Sequence, residues 1–176
     1  MTVRDSLHPA QPVVFLRHVL SILLLPTMVA VVIPFWILRA YAAADSRWPD
    51  VAARLIPRSL GVLIVMAGVA LVAWCIALFA RVGRGTLAPW DPTSRLVAVG
   101  PYQYTRNPMI SGVATTLVGL AVFTGSLLLA AWTAVFIAIN QVYFVLVEEP
   151  GLERRFGPAY LEYKSAVPRW IPRLHR

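Results

Sequence analysis

The chain is poor in acid, in histidine and in cysteine. Its 176 residues include only 8 Asp and Glu, 3 His and 1 Cys. The single Cys75 can form no intrachain disulfide and no cysteine-based metal cluster. It is expected to be a small core or lipid-facing residue. The histidines, His8, His18 and His175, stand near the chain ends. A serine–histidine triad would have to bring one of them in from a terminus, and no metal site is expected. No Gly-x-Gly-x-x-Gly segment, Walker loop or His-Glu-x-x-His pattern occurs. Charge itself is scarce. Only 14% of residues are charged, against 59% hydrophobic, and the mean hydropathy is +0.69. A soluble domain of this length could not bury so much apolar surface, so the composition implies an integral membrane protein. The net charge of +8 would suggest nucleic acid in a soluble protein. Here the arginines fall between apolar runs, which points to anionic headgroups and topology, and no nucleic-acid partner is expected.

What is present is a set of long apolar runs. They predict an all-α, polytopic fold with about four spans near 19–40, 59–80, 109–123 and 127–147. The first run is too long for a signal-peptide core and is expected to be retained. It carries Pro26 and Pro34, so a kink is expected. Residues 39–58 read as a polar loop with a short interfacial helix around 51–56. Gly61 and Gly68 offer the second span a small-residue stripe for close packing. Residues 81–108 hold three glycines and four prolines and read as a functional loop. The following 39 residues, 109–147, carry no charge. As one helix they would run about 58 Å, nearly twice the roughly 30 Å hydrocarbon core. They must fold back, and Thr124-Gly125-Ser126 is the expected turn. Asn140 and Gln141 are read as interhelical hydrogen-bonding groups.

The tail, 148–172, is amphipathic. Pro150 and Pro158 each suit the first turn of a short helix, with Leu152, Phe156, Tyr160 and Tyr163 as a stripe facing the membrane or the central loop. Four spans place the N-terminus, the central loop and the tail on one side. That side carries 12 of the 16 Lys and Arg; Arg39, Arg47, Arg54 and Arg58 are the other 4. The positive-inside rule makes the richer side cytosolic.

The chemistry must come from the two polar segments flanking the hairpin. Glu148 and Glu149 stand together at the C-terminal end of a span. Helix dipole and desolvation both disfavour them there. A cation offsets that cost, either Arg106, Arg154 or a ligand's ammonium or sulfonium. Arg106-Asn107-Pro108 opens the third span. Asn107 suits the cap and Pro108 the first turn, and the free N–H groups there suit a carboxylate. Gly100-Pro101, Tyr102 and Tyr104 offer an approachable backbone and an aromatic wall.

The segments GPYQYTRNPMISG and EEPGLERRFGPAYLEYKSAVPRWIP, in that order around an apolar hairpin, resemble the isoprenylcysteine carboxyl methyltransferase and phospholipid methyltransferase superfamily. The resemblance covers about residues 83–172. It implies one membrane methyltransferase-like domain that takes S-adenosylmethionine at the cytosolic face of a bacterial-type plasma membrane. A lipophilic acceptor then enters from the bilayer. It implies cofactor contacts from 83–108 and 148–172: Gly100, Pro101, Tyr102, Tyr104, Arg106, Asn107 and Pro108 on one wall, Glu148 and Glu149 on another, and Phe156, Gly157, Tyr160 and Tyr163 as a lid. Arg106, Glu148 and Glu149 are the candidates for catalysis. Asn107 stands where the family usually has histidine, and Ile110 where it usually has tyrosine. Phe144 stands where the isoprenylcysteine enzyme has arginine, which argues against a prenylcysteine carboxylate acceptor. Two other readings remain: an NADPH-dependent membrane reductase related to sterol reductases, and a non-catalytic lipid-binding membrane protein.

The orientation is directly testable. In a Cys75→Ala background, Ser165→Cys is expected to react with a membrane-impermeant maleimide in inverted vesicles and not in right-side-out ones. The opposite pattern would reverse the topology.

Overall fold

The computed structural model describes residues 27–45, 48, 51–78, 81 and 96–172. Residues 19–26 of the first expected span and 82–95 of the central loop lie outside them. Helix α1, Met28–Ala40, opens with a π turn at Met28–Val32. Pro34 follows immediately and has no N–H for the carbonyl one turn back. A widened turn relieves the clash of its ring with the preceding turn. This is the irregularity expected of a proline-bearing span.

Helix α2 runs unbroken over Val51–Leu78. The expected polar loop over 39–58 is therefore too long, and the expected interfacial helix at 51–56 is the first part of this long helix. Pro57 lies inside the helix. A proline costs one backbone hydrogen bond, and a helix packed against neighbours tolerates this.

A 3₁₀ turn, Gly100–Gln103, leads to helix α3, Pro108–Thr124, and then to α4, Leu127–Tyr143. The hairpin turn falls where expected. Gly125 takes φ 71°, ψ 20°, and its N–H donates to the Ala121 carbonyl at 2.8 Å. Helix α4 does not end at Val147. It continues through a π turn, Phe144–Glu148, into α5, Glu149–Phe156. Pro150 thus starts no separate helix, since the π turn before it accommodates the missing donor. Gly157, at φ 54°, ψ −130°, changes the chain direction, and α6 follows at Pro158–Ala166. That bend splits the expected stripe: Tyr160 is buried, while Leu152 and Phe156 lie half-buried before the bend. Among the described residues there is no strand.

Two stretches, Leu55–Leu78 and Leu127–Phe156, are long and apolar enough to cross a bilayer, and Met28–Ala40 and Pro108–Thr124 are shorter apolar helices. Large apolar side chains of α2 and α4, among them Leu63, Met66, Val69, Ile139, Val142 and Leu146, face outward. An outward apolar surface of this extent is what lipid contact requires.

Helices α2 and α3 meet along glycines spaced seven apart in each. A Cβ on Gly119 would come within 2.9 Å of the Gly61 carbonyl oxygen, and one on Gly68 within 2.6 Å of the Gly112 oxygen. The backbones approach so closely that only hydrogen fits between them. The expected stripe on α2 therefore has a matching one on α3. Leu117, Val113 and Phe136 fill the core beside it. Cys75 is fully buried in a second cluster with Val97 and Tyr102.

The hairpin end is fixed by a residue the sequence reading passed over. Asp45 is buried, its carboxylate accepts from the Ser126 hydroxyl and, at 3.3 Å, from the Leu128 N–H. Ser126 in turn accepts from the Leu129 N–H at 3.0 Å. A carboxylate at a helix N-terminus satisfies donors and complements the dipole. Trp48 donates from Nε1 to the Val122 carbonyl at 2.9 Å.

Gly68→Leu is expected to push α2 and α3 apart and lower the melting temperature in detergent steeply. Overpacking typically costs about 1–3 kcal/mol, and here the obstruction includes backbone. An unchanged melting temperature would mean the helices are not in close contact.

Candidate functional site

At the other end of the hairpin, α3 begins and α4 finishes. At 1.5 Å per residue, 127–147 covers about 32 Å, the full hydrocarbon thickness. Glu148 and Glu149 follow it directly in the chain. The fold therefore brings them to the level of Arg106, as the hairpin argument required.

The two carboxylates differ sharply. Glu149 is buried, with 5% of its surface exposed. Its Oε1 accepts from Arg106 Nη1 at 2.8 Å and from Arg169 Nε at 2.6 Å, and Lys164 Nζ lies 3.1 Å from Oε2. Lys164 also reaches Glu153 Oε1 at 2.6 Å. Burial alone would push the Glu149 carboxyl up. Hydrogen bonds from Arg169 and Lys164, with the charges of Arg106 and Arg169, hold it below its ordinary value. Glu148 has no ion pair or hydrogen bond among the described residues. Burial, with the adjacent Glu149 charge, pushes its carboxyl up to about 7.

Of the two expected partners, Arg106 is the correct one. Arg154 turns away and donates to the Pro150 carbonyl at 3.2 Å. Two cations that sequence reasoning missed, Lys164 and Arg169, complete the cluster. Their signal was weak, a basic tail after an acidic pair, and nothing in it specified which residue folds back. Arg106 is itself nine-tenths buried, yet its Nε–H has no acceptor among the described residues. A buried donor left unpaired is costly.

The tail and the pre-α3 segment are laced together. The Arg106 N–H donates to the Pro168 carbonyl at 2.9 Å. Thr105 Oγ1 donates to the Arg169 carbonyl at 2.6 Å, and the Tyr163 hydroxyl to the Tyr102 carbonyl at 2.7 Å. Trp170 donates from Nε1 to Gln141 Oε1 at 2.7 Å and packs on Phe144, ring centroids 5.5 Å apart. Gln141 is thus tied to the tail. Asn140 bonds back to the Phe136 carbonyl of its own helix at 2.8 Å. Neither makes the interhelical bond expected of it.

The other expected site residues divide into walls and bystanders. Tyr102 is buried over Cys75, and burial raises its phenol, with Cys75 and Glu148 among the lesser causes. Tyr160 is buried beside Arg106, and Tyr163 is half-buried. Gly100, at φ 60°, allows the 3₁₀ turn with Pro101 buried in it. Pro108 opens α3 as expected. Asn107 occupies the cap position, but its side chain makes no cap bond; its carbonyl accepts from the Ser111 N–H at 3.1 Å. Tyr104 is exposed. Phe156 carries the Arg155 guanidinium over its ring at 5.3 Å, and Gly157 serves as the bend.

The phospholipid methyltransferase (PEMT) family matches residues 56–159, and the chain belongs to that family. It is also similar to the nickel-cobalt-cadmium resistance protein NccN of Alcaligenes xylosoxydans xylosoxydans. The two are 31% identical over 141 residues, which is 78% of this chain and 60% of that protein. No solved structure matches the chain.

The asymmetry of the pair predicts opposite effects. Glu149→Ala strands Arg106 and Arg169 and is expected to cost about 3 kcal/mol or more. Glu148 carries a raised carboxyl, so its contribution is greatest when protonated and is lost as pH rises through about 7. Melting temperatures of the wild type are expected to fall from about pH 5 to about pH 8, and Glu148→Gln to flatten that slope. A similar loss for both variants at all pH values would contradict the division.

Proposed function

We propose that the protein transfers a methyl group from S-adenosylmethionine to a lipophilic or small membrane-accessible acceptor at the cytosolic face. In this reading it crosses the membrane four times, with both termini cytosolic. The observation that carries it is the pairing of an unpaired carboxylate, Glu148, with a buried, unpaired donor, Arg106 Nε, at one membrane face. S-adenosylmethionine carries a sulfonium and an ammonium beside a carboxylate, and it supplies a methyl already activated for displacement. Glu148 suits the cationic part. Arg106 Nε and the open N-terminus of α3 suit the carboxylate. Membership of the PEMT family supports the same cofactor.

The residues then have distinct tasks. Glu149 holds Arg106 in place and does not itself face the reaction. The Tyr102 and Tyr160 rings shield the site from water, which strengthens its charge interactions. Glu148 accepts the proton of an acceptor that arrives protonated, such as a thiol or amine. Phe144, packed on Trp170, adds no cation for an anionic acceptor. The name of the NccN relative concerns resistance to nickel, cobalt and cadmium; among the described residues, no group of three or more His, Cys, Asp and Glu gathers.

Incubating the purified protein with methyl-labelled S-adenosylmethionine and a total lipid extract is expected to yield a labelled lipophilic product. Glu148→Gln and Arg106→Lys are expected to lower its formation by roughly 100-fold or more. No labelled product, or undiminished product in both variants, would overturn the reading.

A further inference from the structure

Two neighbouring side chains of the tail reach different levels of the long helix that α4 and α5 form. Arg169 Nε donates to Glu149 Oε1 at 2.6 Å. Trp170 Nε1 donates to Gln141 Oε1 at 2.7 Å, and its ring rests on Phe144. Glu149 and Gln141 stand eight residues apart on an unbroken helical path, about 12 Å along its axis. Gln141 belongs to the apolar run 127–147, which is about as long as a hydrocarbon core is thick. Six residues separate Gln141 from the end of that run at Val147, about 9 Å. Beyond α6 the tail therefore turns back along α4, and Trp170 is tied to a level inside the apolar run.

The segment is suited to that depth. A bare indole N–H or amide carbonyl is expensive in hydrocarbon, and here the two satisfy each other. Irregular backbone is tolerated at membrane depth only where protein groups take up its hydrogen bonds. The Val167 N–H donates to the Tyr163 carbonyl at 2.9 Å, and the Pro168 carbonyl accepts from the Arg106 N–H at 2.9 Å. The Arg169 carbonyl accepts from Thr105 Oγ1 at 2.6 Å. Pro168 and Pro172 have no N–H to satisfy. The one charged side chain of 167–172, Arg169, points back to Glu149. Ile171, next to the Trp170 anchor, is 80% exposed. At the same levels of α4, Val142, Val145 and Leu146 face outward as well.

We propose that the tail segment 167–172 is a re-entrant element that dips into the leaflet on the Glu149 side, with Ile171 packed against lipid acyl chains. The occupant of this surface is lipid, because the Trp170–Gln141 bond places Ile171 level with the outward apolar side chains of α4. Trp170 acts as an anchor, its ring in the apolar layer and its N–H paired. Since Arg169 adjoins the anchor and holds Glu149, the leaflet becomes part of what seats the tail over the charged cluster. Nothing in this depends on which cofactor that cluster takes.

The test places a fluorescent NBD label on single cysteines, Ile171→Cys, Leu146→Cys and Ser165→Cys, of the full chain in phosphatidylcholine nanodiscs. Cys75→Ala is the background. If that background lowers the melting temperature, the wild-type background replaces it, since Cys75 is fully buried. Leu146 is the outward apolar reference on α4, and Ser165 is the exposed reference on α6. Iodide quenches labels in water, and a phospholipid carrying a nitroxide high on its acyl chain quenches labels in the leaflet. The Ile171 label is expected to follow the Leu146 label, with several-fold less iodide quenching than at Ser165 and strong nitroxide quenching. Iodide quenching at Ile171 equal to that at Ser165 would place the segment in water and overturn the proposal. Protection from both quenchers would mean that protein covers Ile171, which overturns it equally. Neither result bears on methyl transfer, which the labelled-product assay tests separately.

Discussion

One buried carboxylate, Glu149, sets the terms for the end of the molecule where α3 begins and the tail folds back. Removing a charge from water costs several kcal/mol even after the protein relaxes. Glu149 recovers that cost only because three cations reach it from separate parts of the chain. Arg106 comes from the approach to α3, and Lys164 and Arg169 come from the tail. Satisfying one acid thus fixes where the central segment and the C-terminus must lie. The backbone bonds from Arg106 to Pro168 and from Thr105 to Arg169 follow the same alignment. The tail is in this sense a staple across the site, with Tyr160 turned inward and Leu161, Glu162, Ser165 and Ala166 on its exposed outer face.

Under the proposed function, the two adjacent glutamates have different tasks. Charge that is already neutralised cannot serve a ligand. Glu149 is committed to structure, and its neighbour is left without a partner beside it. The π turn over Phe144–Glu148 ends at this pair. It turns Phe144 inward against Trp170 and leaves Glu148 next to Tyr102. Such turns in membrane helices concentrate at working sites, and here the proline that follows supplies a local cause as well. The opposite end has its own fixed point, in which Asp45 caps α4. The hairpin is therefore anchored at both ends by acids, with a glycine seam between α2 and α3 in the middle.

Much of this was legible in the sequence where the signal was local. A charge-free run too long for one crossing dictated the hairpin, and Thr124-Gly125-Ser126 marked its turn. Gly61 and Gly68 announced a close helix contact, and the motif segments identified the family. What stayed hidden was long-range or context-dependent. Residues 39–58 read as a polar loop and Pro150 as a helix start, yet one helix runs through Val51–Leu78 and a π turn carries α4 on into α5. Asp45 looked like one loop acid among others, because its partner Ser126 lies far along the chain. Arg106 and Arg154 could not be separated as partners of the pair, and Lys164 and Arg169 were indistinguishable from other basic tail residues. Only the fold decides which cation meets which acid.

The central claim is that Glu149 is a structural counter-ion while Glu148 is the carboxylate that meets the ligand. Infrared difference spectroscopy reads a protonated carboxyl directly. In the ligand-free wild type, slightly below neutral pH, the account predicts a carboxyl band that titrates with its midpoint at about 7. Adding S-adenosylmethionine should abolish that band as the cation forces ionisation, and Glu148→Gln should lack it from the start. A band that persists in Glu148→Gln, or one that S-adenosylmethionine leaves unchanged, would contradict the account.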